Sequence, residues 1–200
     1  MKIYTQKEID KLAEILKNDG VISVPTDTVY GVCARISSKK AHDNLVKVKN
    51  RPYEKSFPVM CADEKQIKSI ATVNKTAELL IHKYMPGPIT IVLVKHSEVA
   101  NYITNGKNTI AVRMASSTVI KELIQKVGCP IFMSSANQSG EPTCTSLKEI
   151  EKACPTLDGM MEGNISIGQG STIVDCTTDK IKILREGPIS KEQIIEALKN

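Results

Sequence analysis

The residues best suited to chemistry lie in two polar segments, each of which follows a short apolar run. The first segment is PTDTVYG, residues 25–31, and the second is SSANQSGEPTCT, residues 134–145. Arg113, Arg185 and the pair 171–172 (Ser-Thr) begin or end other apolar runs. Ligands of open α/β sheets bind at such strand ends. Because arginine binds phosphate or carboxylate with two parallel hydrogen bonds, this pattern predicts a pocket for a polyanion.

The sequence lacks the motifs of common catalytic and phosphate-binding sites. It has no G-x-x-x-x-G-K-[ST] segment, and Gly168-Gln-Gly170 is not followed by the third glycine of a dinucleotide-binding loop. His42, His82 and His96 lie away from the hydroxyl-rich segments, so a Ser–His triad is not indicated. No pair of the six cysteines has the C-x-x-C spacing of a zinc site, and these residues are interpreted as small core side chains.

Two cations stand close together in the segment Lys49-x-Arg51-Pro52, at the end of a predicted helix. They have two interpretations. They could contribute to the polyanion pocket, or they could oppose the negative end of the helix dipole.

The composition is that of an ordinary globular protein. The chain has 200 residues, of which 41% are hydrophobic and 24% charged, and its formal net charge is +5. No linker-like segment divides it, so a single domain over residues 1–200 is predicted. No apolar run approaches the length of a membrane span, and the N-terminus lacks the apolar core of a signal peptide. A cytoplasmic protein is therefore expected.

Helices alternate with short β-rich runs. Helices are predicted from the capping box of Thr5 and Glu8 to Gly20, over about 38–50, and after Asn74, Ser117, Ser146 and Ser190. Strands are predicted at 21–24, 57–61, 89–95, 109–114, 129–134, 171–176 and 181–186. This order indicates an α/β or α+β fold with a mixed sheet.

Seven motifs in register resemble the YrdC/TsaC family of threonylcarbamoyl-AMP synthases. They are PTDTVYG, the K-x-R of Lys49 and Arg51, PGPITIVL, IAVRM, SSANQSGEPT, STIVD and LREGPIS, over residues 20 to 190. The resemblance implies an α/β fold, a YrdC-like twisted open mixed sheet with flanking helices around a concave basic groove. It also implies the synthesis of L-threonylcarbamoyladenylate and pyrophosphate from L-threonine, bicarbonate and ATP with Mg²⁺. The product would serve N6-threonylcarbamoyladenosine formation at position 37 of tRNA.

The resemblance also assigns roles to individual residues, with no metal ligand from the protein because Mg²⁺ is held through the ATP phosphates. The residues implied to be catalytic are Lys49, Arg51, Ser135 and Asn137. The residues implied to bind ATP are Arg51, Lys55, Thr109, Asn137, Thr145 and Arg185. The residues implied to bind L-threonine are Thr28, Arg113, Ser135 and Ser171. Met60 stands where some longer members have a histidine near threonine. Asp27 has two open interpretations, an orienting residue or a cap of its loop.

Other functions are weighed against this one. An RNA-binding module without catalysis would use the same basic groove, but aromatic residues make up only 4% of the chain and tryptophan is absent. A serine hydrolase built on Ser134 or Ser135 would need a nearby base. A carbamoyl-transferring domain of hydrogenase-maturation proteins would bring acylphosphatase and zinc-finger segments, which the sequence lacks. Expected partners are the substrates and downstream threonylcarbamoyl transferase proteins, with tRNA as a further candidate and no membrane.

Overall fold

The computed structural model describes residues 1–178 and 180–199. In this part of the chain eleven strands form one sheet. The strands are Ile3–Tyr4 (β1), Ile22–Pro25 (β2), Tyr30–Arg35 (β3), Val59–Met60 (β4), Ala71–Thr72 (β5), Ile89–Lys95 (β6), Thr109–Arg113 (β7), Ile131–Ser135 (β8), Gly159–Met161 (β9), Thr172–Asp175 (β10) and Lys182–Arg185 (β11). The helices are Ile9–Lys17 (α1), Lys39–Lys49 (α2), Glu64–Ile70 (α3), Lys75–Tyr84 (α4), Asn101–Thr104 (α5), Thr118–Val127 (α6), Leu147–Ala153 (α7) and Lys191–Ala197 (α8).

The sheet is mixed, as predicted. Its strand order is β1-β9-β2-β3-β8-β4-β7-β6-β10-β11, and β5 pairs with β6 beside this path. Adjacent strands in the chain form antiparallel pairs, such as β2 with β3 and β10 with β11. Crossovers through helices give parallel pairs, such as β4 with β7 and β6 with β10. The predicted α/β class with a mixed open sheet is confirmed.

Polar caps fix where several helices begin, as the sequence predicts. Asn74 Oδ1 accepts the backbone N–H of Ala77 at 2.8 Å and starts α4. The hydroxyls of Ser117, Ser146 and Ser190 accept the corresponding N–H groups of α6, α7 and α8. Each cap satisfies a backbone donor that the first turn leaves without an intrahelical acceptor. These helix starts are confirmed.

Other elements are absent from the sequence prediction or shorter than predicted. The largest omission is β3, whose residues Tyr30–Cys33 directly follow the polar turn and are buried. A strand buried on both faces has no alternation of apolar and polar residues to reveal it. The predicted strand 57–61 is only Val59–Met60, and β1 and β9 pair with each other at the sheet edge.

The core forms two layers on opposite faces of the sheet. Along β3, β4 and β8, successive residues belong alternately to two apolar clusters; for example, Phe132 lies in the larger cluster and Ile131 in the smaller one. Because side chains alternate across a strand, the clusters lie on opposite faces. The smaller cluster includes α1 and α6, and the larger includes apolar residues of α2, α4, α7 and α8.

The six cysteines are free, and only Cys129 among them is not buried. Burial raises the pKa of the Cys176 thiol to about 12, and burial followed by the charge of Asp63 raises the pKa of Cys61 to about 12. Their predicted role as core side chains is therefore confirmed for the five buried residues. Among the residues the model describes, no helix is long and apolar enough to cross a membrane.

Candidate active site

One row of cross-strand neighbours forms the floor of a cavity. Met60 lies opposite Arg113. Thr90 precedes Ile91, which lies opposite Val112, the residue before Arg113. Thr90 in turn lies opposite Ile173, and Ile173 opposite Arg185. All five residues of this row line the same cavity. The row thus runs across five strands, β4-β7-β6-β10-β11, and carries a guanidinium at two places.

The cavity has a volume of about 380 Å³. Its walls come from the turn after β2, the end of β8 and the segment before β10. The remaining lining residues are Thr26, Thr28, Val29, Gly31, Arg51, Pro58, Val59, Met133, Ser134, Ser135, Thr143, Gln169, Gly170, Ser171 and Glu186. The described lining therefore holds three arginines, several hydroxyls and one carboxylate, a donor set suited to anionic ligands.

The turn between β2 and β3 is built around the hydroxyl of Thr26. This oxygen accepts the backbone N–H groups of Thr28 and Val29 at 3.1 and 3.2 Å, and it donates to Val29 O at 2.6 Å. The Thr28 hydroxyl lies 3.0 Å from the Thr26 hydroxyl. Since Thr26 gives its proton to Val29 O, only Thr28 can donate between these two hydroxyls. The first threonine thus shapes the turn, and the second faces the cavity.

Arg113 holds this turn from the end of β7. Its Nη1 donates to Thr28 Oγ1 at 2.9 Å, its Nη2 donates to Asp27 Oδ1 at 2.5 Å, and its Nε donates to Gly87 O at 3.0 Å. Burial lowers the pKa of Arg113, while the Asp27 carboxylate acts in the opposite direction. Of five N–H donors, one on each terminal nitrogen has no acceptor among the described residues, and these two suit a carboxylate.

Asp27 links Arg113 to the loop before α6. Its second carboxylate oxygen accepts the hydroxyl of Ser116 at 2.9 Å and the backbone N–H of Ser116 at 3.2 Å. Of the two interpretations of Asp27, the structure therefore favours the orienting one, because its carboxylate fixes the arginine rather than capping its own turn.

The segment 162–171 lies across the turn and joins β9 to β10, which stand near opposite ends of the strand order. The N–H groups of Ile167 and Gly168 donate to the carbonyls of Asp27 and Thr28, at 3.2 and 2.7 Å. Gly168 has φ +74°, a conformation that glycine adopts without strain. The segment then brings Gln169, Gly170 and Ser171 into the cavity wall.

Ser171 and Arg185 meet at the far end of the floor. The Ser171 hydroxyl lies 2.7 Å from the Thr90 hydroxyl. Arg185 donates from Nε and Nη2 to Ser171 O, at 3.0 and 2.7 Å. The predicted threonine residue Ser171 and the predicted ATP residue Arg185 are thus brought together in one cavity.

Ser135 and Asn137 form a tight loop after β8. The Ser135 hydroxyl donates to Asn137 Oδ1 at 2.6 Å, and Asn137 Nδ2 donates to Glu141 O at 2.5 Å. Ser135 lines the cavity, and Asn137 lies behind it. The proton of Ser135 is therefore directed into the loop, and its lone pairs remain for a donor in the cavity.

Lys49 and Arg51 are separated by the structure. Arg51 lines the cavity, with its guanidinium 4.6 Å from the ring centre of Phe57, and it donates to the carbonyls of Lys55 and Ser56 at 2.7 and 2.8 Å. Lys49 is 1% exposed and is absent from the cavity lining. Lys49 does end α2, where its charge can oppose the helix dipole, and its contact with a ligand stays a prediction.

Besides Asn137, three other predicted ATP residues lie outside the cavity lining. The side chain of Lys55 is exposed. Thr109 begins the strand that Arg113 ends, about 13 Å away, although both side chains lie on the same face. The Thr145 hydroxyl and N–H both donate to Glu149 Oε2, at 3.2 and 2.8 Å, next to the start of α7. The cavity wall holds Thr143 instead.

The histidines take no part in the cavity. His42 is buried among the rings of Phe57, Tyr102 and Phe132, and its Nδ1 lies 3.2 Å from the Asp43 carboxylate. In residues 1–178 and 180–199, no hydrogen bond joins a histidine ring to a serine hydroxyl. The geometry of a Ser–His hydrolase is therefore not found in the described chain.

Sequence reasoning missed several lining residues, most clearly Thr90, Thr143 and Gln169. Thr90 is the second residue of an apolar strand, and only its position opposite Ile173 and next to the Ile91–Val112 pair places it in the floor. A threonine within the otherwise apolar run ITIVLVK is the one sequence signal that could have indicated it. Met60, noted in the sequence beside the threonine site, does lie in the lining.

Comparison with known proteins gives consistent matches. A family model named for Sua5, YciO and YrdC, described as "Telomere recombination", matches residues 14–187. The threonylcarbamoyl-AMP synthase of Bacillus subtilis is 32% identical over 94% of this chain, which spans only 55% of that relative. A putative threonylcarbamoyl-AMP synthase of Methanocaldococcus jannaschii is also 32% identical, over 96% of this chain and 95% of the relative.

The fold matches as well. The crystal structure of Sua5 from Pyrococcus abyssi in complex with L-threonine has a TM-score of 0.93 and 29% identity, covering 99% of this chain and 61% of that one. The chain thus spans 55% of the Bacillus relative, 61% of the Pyrococcus chain and 95% of the Methanocaldococcus relative. With the family model matching most of the sequence, the chain belongs to the Sua5/YciO/YrdC family.

Proposed function

We propose that the protein makes L-threonylcarbamoyladenylate and pyrophosphate from L-threonine, bicarbonate and ATP. The observation that carries this proposal is the cavity itself, into which Arg51, Arg113 and Arg185 converge with the hydroxyls of Thr28 and Ser171. The names of the relatives support it, since two curated relatives are called threonylcarbamoyl-AMP synthases. The L-threonine complex of Sua5 supports the same amino-acid substrate.

The reaction explains why the cavity needs no nucleophile of its own. The amine of threonine and bicarbonate form a carbamate with loss of water. A carbamate oxygen then attacks the α-phosphorus of ATP, and the bond to the β-phosphate oxygen breaks to release pyrophosphate. The substrate supplies the nucleophile, so the protein must supply position and charge neutralisation. Cations and hydroxyls are the groups that this task requires.

The proposed roles follow from the geometry. Arg113 would bind the threonine carboxylate through its two free N–H donors, and Thr28 and Ser171 would surround the amino acid. Arg51, in the wall, and Arg185, at the far end of the floor, would bind the phosphates. Ser135 would lie at the junction of the two substrates and accept a hydrogen bond, with Asn137 behind it.

Mg²⁺ enters this scheme as part of the substrate MgATP, held by phosphate oxygens and water. Among the described residues of the lining, Glu186 is the one carboxylate. We further propose that the product serves tRNA modification at position 37, in the cytoplasm, through transferase proteins that take up the intermediate. We also propose that the protein contacts tRNA directly.

Product formation tests the function directly. Protein, MgATP, bicarbonate and L-threonine are incubated, and threonylcarbamoyl-AMP and pyrophosphate are measured by HPLC and a coupled assay. Both products should appear in equal amounts and only with all substrates present. Omission of bicarbonate and replacement of L-threonine by D-threonine are the controls. Absence of both products from a folded protein that binds RNA would favour the RNA-binding alternative.

A further inference from the structure

The ammonium group of Lys49 is enclosed by one loop. Its Nζ donates to Ser135 O and Asn137 O, each at 2.5 Å, and to Asn137 Oδ1 at 2.9 Å. An ammonium group has three protons, and here each has its own acceptor. With the side chain 1% exposed, none of them is left for a phosphate.

Two further hydrogen bonds, both to backbone carbonyls, join the end of α2 to the loop after β8. Helix α2 ends at Lys49, and its last carbonyls have no partner within the helix. Gln138 Nε2 donates to Val48 O at 3.1 Å, and Ser139 N–H donates to Lys49 O at 3.2 Å. The loop after β8 therefore supplies hydrogen-bond donors to the last carbonyls of α2. In return, the side chain of Lys49 donates hydrogen bonds to the loop.

This loop presents Ser135 to the cavity. The hydroxyl of Ser135 donates to Asn137 Oδ1, the same oxygen that accepts from Lys49. Asn137 Oδ1 therefore accepts two hydrogen bonds, one from the Ser135 hydroxyl and one from the Lys49 ammonium group, and the positions of these two donors depend on each other. The orientation of the Ser135 hydroxyl is thus tied to Lys49 through this shared acceptor, in addition to the direct bond from Lys49 Nζ to Ser135 O.

We infer that Lys49 is a positioning residue whose ammonium group fixes the Ser135–Asn137 loop, and that it is not a phosphate ligand. Its effect on catalysis rests on the proposed function, whereas its effect on the loop does not. The two can therefore be measured separately.

The protonation state of Lys49 is part of this arrangement. A neutral amine keeps two protons and would lose one of the three acceptors. Burial lowers the pKa of Lys49 to about 8; the thiols of Cys154 and Cys144 act to raise it, and the Arg51 guanidinium acts to lower it. No carboxylate is among these ionisable neighbours in the described chain. The loop should therefore loosen as pH rises above about 8.

The first test measures amide hydrogen exchange in the protein without nucleotide. Lys49→Met keeps a side chain of similar shape but removes the charge and the donors. Exchange in a peptide covering 134–141 should become at least tenfold faster, and exchange in β6 (89–95) should not change. Lys47→Met, an exposed position of the same helix, is the matched control and should leave both peptides unchanged. Unchanged exchange of 134–141 in Lys49→Met overturns the inference.

Kinetics separates the two roles in a second way. A positioning residue should lower kcat/KM for threonine and for MgATP together, because both substrates meet at Ser135. A rise of KM for MgATP alone would identify Lys49 as a phosphate ligand and overturn the inference.

A third test needs no variant and remains available if Lys49→Met does not fold. Protection factors of the 134–141 peptide in the wild-type protein are compared at pH 7 and pH 9.5, each corrected for the intrinsic exchange rate at that pH. Protection should fall severalfold in this peptide and not in β6. Equal protection at both pH values overturns the inference, whether or not the protein makes threonylcarbamoyl-AMP.

Discussion

Arg113 and Asp27 form a buried ion pair beside the cavity, with Nη2 and Oδ1 2.5 Å apart and both side chains 8% exposed. The pair joins the end of β7 to the turn between β2 and β3. It holds the guanidinium so that two N–H groups stay available to a ligand, and this geometry leads to the first two predictions.

Arg113→Lys should raise KM for threonine severalfold and barely change KM for MgATP. Lysine keeps the charge opposite Asp27 but loses the planar fork that binds a carboxylate with two hydrogen bonds. Steady-state kinetics with each substrate varied in turn measures both constants. An equal rise of the two would point to collapse of the cavity, and no rise at all would remove Arg113 from the threonine site.

Asp27→Ala should lower the free energy of unfolding by about 3–5 kcal/mol, because it leaves the guanidinium of Arg113 buried without its partner. Urea denaturation of the variant measures the change. Asp10→Ala is a suitable control, since Asp10 pairs with Lys126 at the surface with 76% of its side chain exposed, and such a pair contributes about 0–1 kcal/mol. Similar losses in both variants would mean that burial of the first pair has no energetic consequence.

Arg51→Ala should lower product formation by tenfold or more in a protein that remains folded. A charge-assisted hydrogen bond to a phosphate contributes about 1.5–3 kcal/mol, which corresponds to that factor. Lys55→Ala should have a smaller effect, because Lys55 is exposed and lies outside the cavity lining. Pyrophosphate release under saturating substrates compares the two, and near wild-type turnover of folded Arg51→Ala would contradict its placement at the phosphates.

Valine should be a poor substrate, and serine a weaker one than threonine. A site that pairs the threonine hydroxyl with Thr28 or Ser171 leaves a buried polar group unsatisfied when valine binds, which costs on the order of a hundredfold or more in kcat/KM. Competition between the amino acids, with products separated by HPLC, gives the ratio. Equal turnover of valine would demonstrate that the hydroxyl is not recognised.

The sequence predicted well those features that are decided locally. The caps Asn74, Ser117 and Ser190 each have a side chain and an N–H three residues later, so a short window contains the whole interaction. The strands of ITIVLVK and TIAVRM have β-branched residues in continuous runs. β3 was missed because its pairing with both β2 and β8 buries it on both faces, so its residues show no alternation of apolar and polar types.

The candidate site residues also divide into those that the sequence places correctly and those that depend on distant contacts. Thr28, Arg113, Ser135, Ser171 and Arg185 stand at strand ends, and the sheet brings them together as expected. Lys49 could not be placed from the sequence, since its three acceptors come from a loop more than eighty residues away. Thr145 was placed at the nucleotide by resemblance, but in the structure Glu149, only four residues later, takes both of its donors.

Because the floor of the cavity is built from strands far apart in the sequence, its residues are synthesised at different times. Arg51 and Arg113 leave the ribosome early, but Ser171 and Arg185 follow only after the segment 162–171 has crossed from β9 to β10. A nascent chain that has reached β9 can hold most of its core and still lack one wall of the cavity. Substrate binding therefore begins only after residue 185 has left the ribosome and β11 has paired with β10. A ligand can then stabilise the folded protein, but it cannot assist the folding of the first 160 residues.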